Sequence, residues 1–272
     1  MIRIFLLSVA AILIGVFSTP VSFAEPPEGA AGNLNRVVLS VIQTMPVGGR
    51  YAVTGVAHQS LAAAISHSAG HLSVDPQGAT PSFCSSATYL VFLRSLQELM
   101  REGSLKLDSR VLEALLVRGQ RDGEGAWGRW NANGPGTARF FFELGLGPNF
   151  TSYENARAGD FMKIFWTPEI GARERGHSVV YLGRETVAGV EQIRFWSSNQ
   201  PLGYGIKSVP RSKIARAVFS RLEQPANLSR LQALPRTDAY LGSLLKVRSS
   251  AAELGEKCGI SESPARIGPG PR

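Results

Sequence analysis

Apolar residues fall at helical spacing in the first part of the chain and in short strand-like runs in the second. The segments 34–45 and 84–101 each carry apolar residues on one helical face. Three later runs, at 160–166, 177–183 and 190–199, are rich in β-branched and aromatic residues and are bounded by turn signals, and "GYGIKSVP" at 203–210 is a candidate for a fourth strand. Helices followed by an antiparallel meander predict an α+β fold in which the 84–101 helix packs on the sheet.

The segments between these elements complete the predicted layout. The pattern predicts an Ala-rich helix over 56–70 and a short helix over 107–119, then a Gly- and Asn-rich loop at 121–136 with two tryptophans. A returning helix is predicted over 212–222, and the Gly- and Pro-rich end from residue 249 is predicted to be disordered.

The first residues resemble a secretory leader. A basic residue at Arg3 precedes an apolar stretch over 5–17, and Ser22-Phe23-Ala24 matches a cleavage site. The stretch is shorter than a bilayer-spanning helix, so we expect a periplasmic or secreted protein without stable membrane insertion; a retained anchor is the alternative. The predicted organisation is a signal peptide at 1–24, a helical segment at 25–75, a main domain at 76–248 and a tail at 249–272.

Charge and composition exclude several classes of function. The full chain has a formal net charge of +8, but its basic residues are scattered and accompany no nucleic-acid-binding motif. An exported basic protein is attracted to anionic polymers such as those of a cell wall. The sequence contains no CxxC or HExxH motif and no Gly-rich phosphate loop, and the His67 and His71 pair flanks a helix-ending glycine. We therefore expect no metal, no cofactor and no nucleic-acid partner.

The two cysteines, Cys84 and Cys258, allow two interpretations. In an oxidising compartment two cysteines ordinarily pair, although a disulfide to the C-terminal tail would stabilise little of the fold. Alternatively, Cys84 opens the strongest helix of the chain, after Thr80 or Ser82 as the cap. Free backbone N–H groups and the positive end of the helix dipole stabilise a thiolate at such a position, which makes it reactive.

A reactive thiol requires a base, and His177 is the best candidate among the four histidines. It begins the strand "HSVVYLG", where neighbouring strands hold an imidazole in place. Asn199 ends the following strand, and its side-chain oxygen is suited to accept the second ring N–H of His177. The alternatives are a turn-forming Asn199 and a His177 that only ends a strand.

Together these features resemble the exported papain-like cell-wall amidases of the NlpC and CHAP types. The resemblance covers a helix-opening cysteine, the turn Ala158-Gly159-Asp160 before "FMKIFW", and the strand "GHSVVYLG". It implies that Cys84 is the nucleophile, His177 the base and Asn199 the orienting residue, within a papain-like catalytic domain. Asp160 is then structural. The tyrosine that NlpC-type enzymes place before the nucleophile has no clear counterpart, because Tyr51 is distant in the sequence.

Four further residues are weaker candidates. Gln77 precedes the cysteine, as does the glutamine that supplies an oxyanion-hole donor in papain-like enzymes; a solvated turn is the alternative. Trp130 and Asn131 offer an aromatic face and an amide to a sugar or peptide, although tryptophan more often lies in the core. Tyr204, in "GYG", is a candidate for the lining of the same cleft.

The sequence thus predicts an exported cysteine hydrolase that cleaves an amide bond, with peptidoglycan peptides as the expected substrate. One alternative is a non-catalytic wall-binding protein with a Cys84–Cys258 disulfide. The other is an acyltransferase that uses the same residues.

Overall fold

The computed structural model describes residues 34–260. Within that range the protein is α+β, with an antiparallel sheet and several helices, as the sequence predicts. The expected signal peptide at 1–24 lies outside the described residues, as do residues 261–272.

Helices and strands alternate along the chain more often than the hydrophobic pattern predicts. The helices are α1 (Asn35–Thr44), α2 (Gly55–Ala63), α3 (Cys84–Arg101), α4 (Ser109–Ala114), α5 (Gly125–Asn131), α6 (Gly136–Leu144), α7 (Ala239–Ser243) and α8 (Ala251–Lys257). The strands are β1 (Gly48–Gly49), β2 (Ile65–Ser68), β3 (His71–Val74), β4 (Asn149–Phe150), β5 (Phe161–Phe165), β6 (Gly176–Val187), β7 (Val190–Asn199), β8 (Gly203–Pro210) and β9 (Arg216–Ser220).

Seven of these strands form one antiparallel sheet in the order β1-β8-β7-β6-β5-β9-β4. Strands β5 to β8 are the predicted meander. The β6–β7 hairpin closes through Ala188 and Gly189, whose φ angles are 49° and 78°. Two-residue turns with positive φ match the twist of paired strands, so this turn sets Val187 opposite Val190; the register shifts farther along the hairpin, between Tyr181 and Gly183.

Side chains of the central strands alternate between two hydrophobic clusters, one on each face of the sheet. The residues that face α3 include Phe161, Val180 and Trp196. Their neighbours Met162, Val179 and Phe195 belong to the cluster on the opposite face. Because both faces are covered here, the central part of β6 over residues 179–182 is continuously apolar in sequence.

Helix α3 packs its apolar face against this sheet. Its residues 89–93 are completely buried. The Phe92 ring lies 6.2 Å from that of Phe161 in β5, and the Tyr89 hydroxyl donates to the carbonyl oxygen of Leu115 at 2.6 Å. This packing sets the N-terminus of α3 beside the start of β6, where the candidate active-site residues lie.

The prediction of a loop over 121–136 is wrong, because its central residues form α5. Trp127 and Trp130 are both about 1% exposed, and the Trp130 ring lies 4.9 Å from that of Phe92. Burial of two tryptophans outweighs the low helix propensity of their Gly and Asn neighbours. Gly128 allows the close approach, since a Cβ there would lie 2.0 Å from the carbonyl oxygen of Arg121.

The prediction of a helix over 212–222 is also wrong. Its centre is β9, which pairs with both β5 and β4. Ala217 and Phe219 enter one hydrophobic cluster while Val218 enters another. A position between two strands buries both faces of the segment, and that tertiary burial overrides local propensity.

The expected helical segment over 25–75 contains a hairpin. Helix α2 ends at Ala63, and β2 then pairs with β3. The turn places Ala69 and Gly70 at φ angles of 49° and 78°. The hairpin buries Ile65 and Leu72 in the main cluster, so the short run of alternating residues forms a strand although the alanines before it favour helix.

The prediction that the chain is disordered from residue 249 is wrong for residues 249–260. Helix α8 begins after Ser250, whose Oγ accepts a hydrogen bond from the Glu253 backbone N–H at 3.0 Å. Leu254 and Cys258 are buried in a cluster with Phe165. These two side chains hold the segment against the domain together with hydrogen bonds from Arg139 to the Lys257 carbonyl oxygen and from Asn149 to the Cys258 carbonyl oxygen. Across residues 34–260, no helix has both the length and the apolar character needed to cross a membrane.

Candidate active site

Cys84 is the first residue of α3. The helix begins after Phe83, which is extended, and not after Thr80 or Ser82 as predicted. Ser86 closes this end of the helix, because its Oγ accepts from the Phe83 N–H at 2.9 Å and donates to the Phe83 carbonyl oxygen at 2.7 Å. The Cys84 backbone N–H is therefore among the first-turn donors without an intrahelical acceptor, and the sulfur lies at the positive end of the helix dipole.

The Cys84 thiol contacts His177 although the two residues are far apart in the sequence. Burial raises the pKa of this half-buried thiol, whereas a hydrogen bond with His177 and the charge of its imidazole lower that pKa. The Ser178 backbone N–H and the charge of Lys163 act in the same direction, and together they lower the pKa of Cys84 from 9.0 to about 7. The site therefore supports a thiolate near neutral pH.

Asn199 determines which nitrogen of His177 faces the thiol. The Asn199 Nδ2 donates to the carbonyl oxygens of Gly205 at 2.9 Å and Ser197 at 3.2 Å. Its Oδ1 is thereby turned to His177 Nε2, 3.1 Å away. Since Oδ1 can only accept, Nε2 carries the proton and Nδ1 is left for the sulfur.

Aromatic side chains hold the imidazole between them. The Trp166 ring stacks on His177 with centroids 6.1 Å apart and an interplanar angle of 28°. The Phe195 ring meets His177 edge-on at 5.7 Å. Both come from strands or strand ends beside β6, so the sheet sets the direction of the ring.

Tyr51 is a site residue that the sequence analysis did not place. Burial raises the pKa of its hydroxyl first, and the charge of Cys84 and a hydrogen bond with that sulfur raise it further. Its backbone N–H donates to the Pro201 carbonyl oxygen at 3.0 Å, and the following residue bonds to Ser82. A β-bridge between Tyr51 and Ser82 thus brings Tyr51 close to Cys84, although the two residues are distant in the sequence. The sequence signal that could have found Tyr51 is the resemblance to NlpC-type enzymes, which place a tyrosine before the nucleophile.

Two adjoining clefts meet at this cluster. The first cleft has a volume of about 320 Å³ and includes Cys84, and the second cleft has a volume of about 470 Å³ and includes His177. They share Tyr51, Glu174 and Gly176. The first cleft is also lined by Val53, His58, Phe83, Ser85, Asp122, Asn131, Ala132, Asn133, Lys163, Ser178 and Leu245. The second is also lined by Trp166, Arg175, Phe195, Asn199, Gln200 and Lys207.

Of the four weaker candidates, only Asn131 lines either cleft. Its Oδ1 accepts from Ser85 Oγ at 2.5 Å beside the start of α3. Trp130 is a core residue whose Nε1 donates to Thr88 Oγ1 at 3.2 Å. The expectation that Trp130 contacts substrate is therefore wrong, since its ring has no exposed face.

Gln77 and Tyr204 are also placed away from the clefts. Gln77 is exposed in a turn, where its backbone N–H donates to Asp75 Oδ1 at 3.1 Å. Tyr204 is buried and stacks on Trp196, and its hydroxyl donates to the Ala79 carbonyl oxygen at 2.8 Å. Gln77 lines neither cleft, so the expectation that it supplies an oxyanion-hole donor is wrong.

Asp160 is structural, as predicted. It is completely buried, and Arg221 donates to its two oxygens from Nε at 2.9 Å and from Nη2 at 2.8 Å. The Asn35 Nδ2 and the Arg157 backbone N–H supply two further hydrogen bonds. This network joins α1, the turn before β5 and the residue that follows β9.

The cysteines do not form the alternative disulfide. Both are free thiols, and Cys258 is buried beside Leu254 and Phe165. Burial is the main reason that the pKa of Cys258 rises to about 12, so this thiol is unreactive near neutral pH. Within the described part of the chain, no group of histidine, cysteine and acidic residues is arranged to hold a metal ion.

Comparisons with known proteins return no match, whether with family models, with curated proteins or with solved structures.

Proposed function

We propose that this protein is an exported cysteine hydrolase of papain-like architecture that cleaves an amide bond. The observation that carries the proposal is the Asn199 amide, whose two donated hydrogen bonds orient its oxygen to His177 and leave Nδ1 for the thiol. A lowered pKa at Cys84 is the electrostatic consequence of that arrangement. A buried structural thiol has the opposite shift, as Cys258 does.

In the proposed reaction the Cys84 thiolate attacks the amide carbonyl carbon while His177 holds the proton as imidazolium. The oxyanion forms beside the Cys84 backbone N–H, which has no intrahelical acceptor, and the Tyr51 hydroxyl, whose hydrogen bond to the sulfur is released as that sulfur bonds to the carbonyl carbon. The C–N bond breaks as His177 passes its proton to the leaving nitrogen. Water, deprotonated by the same Nδ1, then attacks the thioester and releases the acid and the free thiol.

The substrate class rests on the resemblance to NlpC-type and CHAP-type amidases. The helix-opening cysteine, the Gly159-Asp160 turn and the "GHSVVYLG" strand carry that resemblance in sequence. Tyr51 strengthens it, because it contacts Cys84 as the upstream tyrosine of NlpC-type enzymes would. A peptidoglycan peptide is the proposed substrate, because it is an abundant amide polymer outside the membrane and a basic protein is attracted to anionic wall polymers.

Digestion of purified sacculi tests this function. The wild-type protein should release peptide fragments that mass analysis identifies by a gain of one water per cleaved amide. Cys84→Ala should release none while its circular dichroism spectrum and melting temperature stay unchanged. Cys258→Ala is the matched control, since it removes the other thiol outside the site. Full release by Cys84→Ala would refute the mechanism, and no release by the wild type would refute the substrate.

A further inference from the structure

The two clefts differ in the charges that line them. In the first cleft the charged residues are Asp122, Lys163 and Glu174. In the second cleft they are Glu174, Arg175 and Lys207. The difference matters because Cys84 belongs to the first and His177 to the second.

One pair of charges cancels at the junction of the clefts. Lys163 Nζ lies 2.6 Å from Glu174 Oε1, and both side chains are largely buried. Glu174 Oε2 also accepts the backbone N–H groups of Gly134 at 2.6 Å and Gly171 at 2.8 Å. The two charges of this ion pair neutralise each other. The remaining charged residues are therefore Asp122 in the first cleft and Arg175 and Lys207 in the second.

Asp122 is the uncompensated charge of the first cleft. Its Oδ2 accepts the Asn133 backbone N–H at 3.0 Å, and no ion pair within residues 34–260 includes it. Burial raises the pKa of Asp122, with Glu174 adding to it, whereas the Asn133 N–H and Lys163 oppose the rise. His58 also lines this cleft, with its ring 4.6 Å from that of Phe83. A cation bound here would give Asp122 the partner it lacks.

Arg175 and Lys207 are the uncompensated charges of the second cleft. Both are exposed, and neither has an acidic partner among the described residues. They line the same cleft as the ring of His177, on which Trp166 stacks. Two cations beside an aromatic face suit a carboxylate.

We propose that the substrate is an amide with a charged group on each side of the cleaved bond. Its acyl part carries an ammonium group that Asp122 binds. Its leaving amine carries a carboxylate that Arg175 and Lys207 bind. This inference rests on the proposed function, whose chemistry sets the direction. The carbonyl carbon bonds to Cys84 Sγ, so the acyl part occupies the first cleft. The leaving nitrogen takes its proton from His177, so the amine part occupies the second. The cleaved bond thus joins an acyl group with a free amino group to an amino acid with a free carboxylate.

The acyl side can be tested without knowing the substrate, by the rate at which Cys84 reacts with three methanethiosulfonates. Their transferred groups are 2-aminoethylthio, methylthio and 2-sulfonatoethylthio, and all release the same methanesulfinate as the new S–S bond forms. Asp122→Asn should lower the ratio of the cationic to the anionic rate about tenfold. Glu102→Gln, which removes an equal charge on the exposed end of α3, should leave that ratio unchanged.

The amine side is tested by two mixed disulfides that transfer the same methylthio group. One releases 2-thiopyridine and the other releases 5-thio-2-nitrobenzoate, which carries a carboxylate, so only the leaving group differs. The double variant Arg175→Gln with Lys207→Gln should lower the rate ratio of the second reagent to the first about tenfold. Arg110→Gln with Lys106→Gln, outside both clefts, is the matched control. Cys84→Ala supplies the background rate for all reagents.

The outcomes separate this inference from the proposed function. If the ratios change only in the cleft variants, and the wild-type ratios fall with added salt, the charge assignment is supported. Ratios that stay within twofold of the wild type overturn the assignment while leaving the hydrolase mechanism standing. A Cys84 that is unreactive toward the neutral methyl reagent at neutral pH overturns both. The salt dependence of the wild type provides a measurement even if a variant does not fold.

Discussion

Replacing His177 by glutamine should raise the pKa of the Cys84 thiol from its lowered value to one above the ordinary value for cysteine. His177 supplies the largest of the effects that lower the pKa of Cys84 from 9.0 to about 7. That difference corresponds to about 3 kcal/mol in favour of the thiolate. Without the imidazole, burial is the dominant remaining effect, and it favours the neutral thiol.

The magnitude follows from the fraction of thiolate. With a pKa of about 7, about half of the Cys84 thiols are ionised at pH 7; with a pKa of 9 or more, about 1% or less are ionised. The thiolate fraction at pH 7 should therefore fall about 50-fold or more in His177→Gln, and the alkylation rate should fall with it by a smaller factor, because a thiolate of higher pKa is more nucleophilic. Because only the thiolate is alkylated, the reactivity of Cys84 rises as the pH increases through its pKa. That rise is expected near pH 7 in the wild type and at a higher pH in the variant.

The assay is the pH dependence of iodoacetamide alkylation, followed by intact mass. The midpoint of the profile is the decisive quantity, because a thiolate of higher pKa is also intrinsically more nucleophilic. His58→Gln is the matched control, since His58 lines the same cleft as Cys84 and packs on Phe83. A midpoint near 7 in His177→Gln, or an equal upward movement in His58→Gln, would show that His177 is not the partner of the thiol.

Three further predictions follow from single contacts. Tyr51→Phe should lower kcat for amide hydrolysis about 100-fold by removing one donor to the oxyanion, while thermal unfolding stays unchanged; an unaltered kcat contradicts that role. Asn199→Ala should lower kcat and also broaden the His177 ring resonances in NMR spectra, because the ring loses its acceptor at Nε2; unchanged resonances would exclude an orienting role. Arg221→Met should lower the free energy of unfolding by about 3–5 kcal/mol in denaturant titrations, because it leaves Asp160 buried beside fewer donors; a loss below about 1 kcal/mol would mean that the pair is not structurally important.

The sequence determined the elements that have a strong local signal. Helix α3 follows from its broad apolar face, and the meander from β5 to β8 follows from β-branched runs separated by glycine turns. The juxtaposition of Cys84, His177 and Asn199 could be anticipated, since a helix-opening thiol needs a base and the base needs an acceptor. Their catalytic role remains a proposal that the sacculi digestion tests.

The tertiary structure decided the elements whose local signal is weak or misleading. Trp130 and Trp127 look like loop residues among glycines, yet they are buried against α3 in a helix of their own. Strand β9 has the composition of a helix, but a place between β5 and β4 buries both of its faces. Local propensity differs by less than the free energy gained when large apolar side chains leave water, so burial prevails.

The parts of the candidate site that only the fold reveals are those brought from a distance. Tyr51 reaches Cys84 because its backbone bridges to Ser82, and Lys163 and Asp122 come from separate elements to line the first cleft. A pattern along the chain reports on neighbours within one helix turn or one strand. The hydrogen bond from Tyr51 and the charges around the sulfur depend on distances across the domain, which packing alone sets.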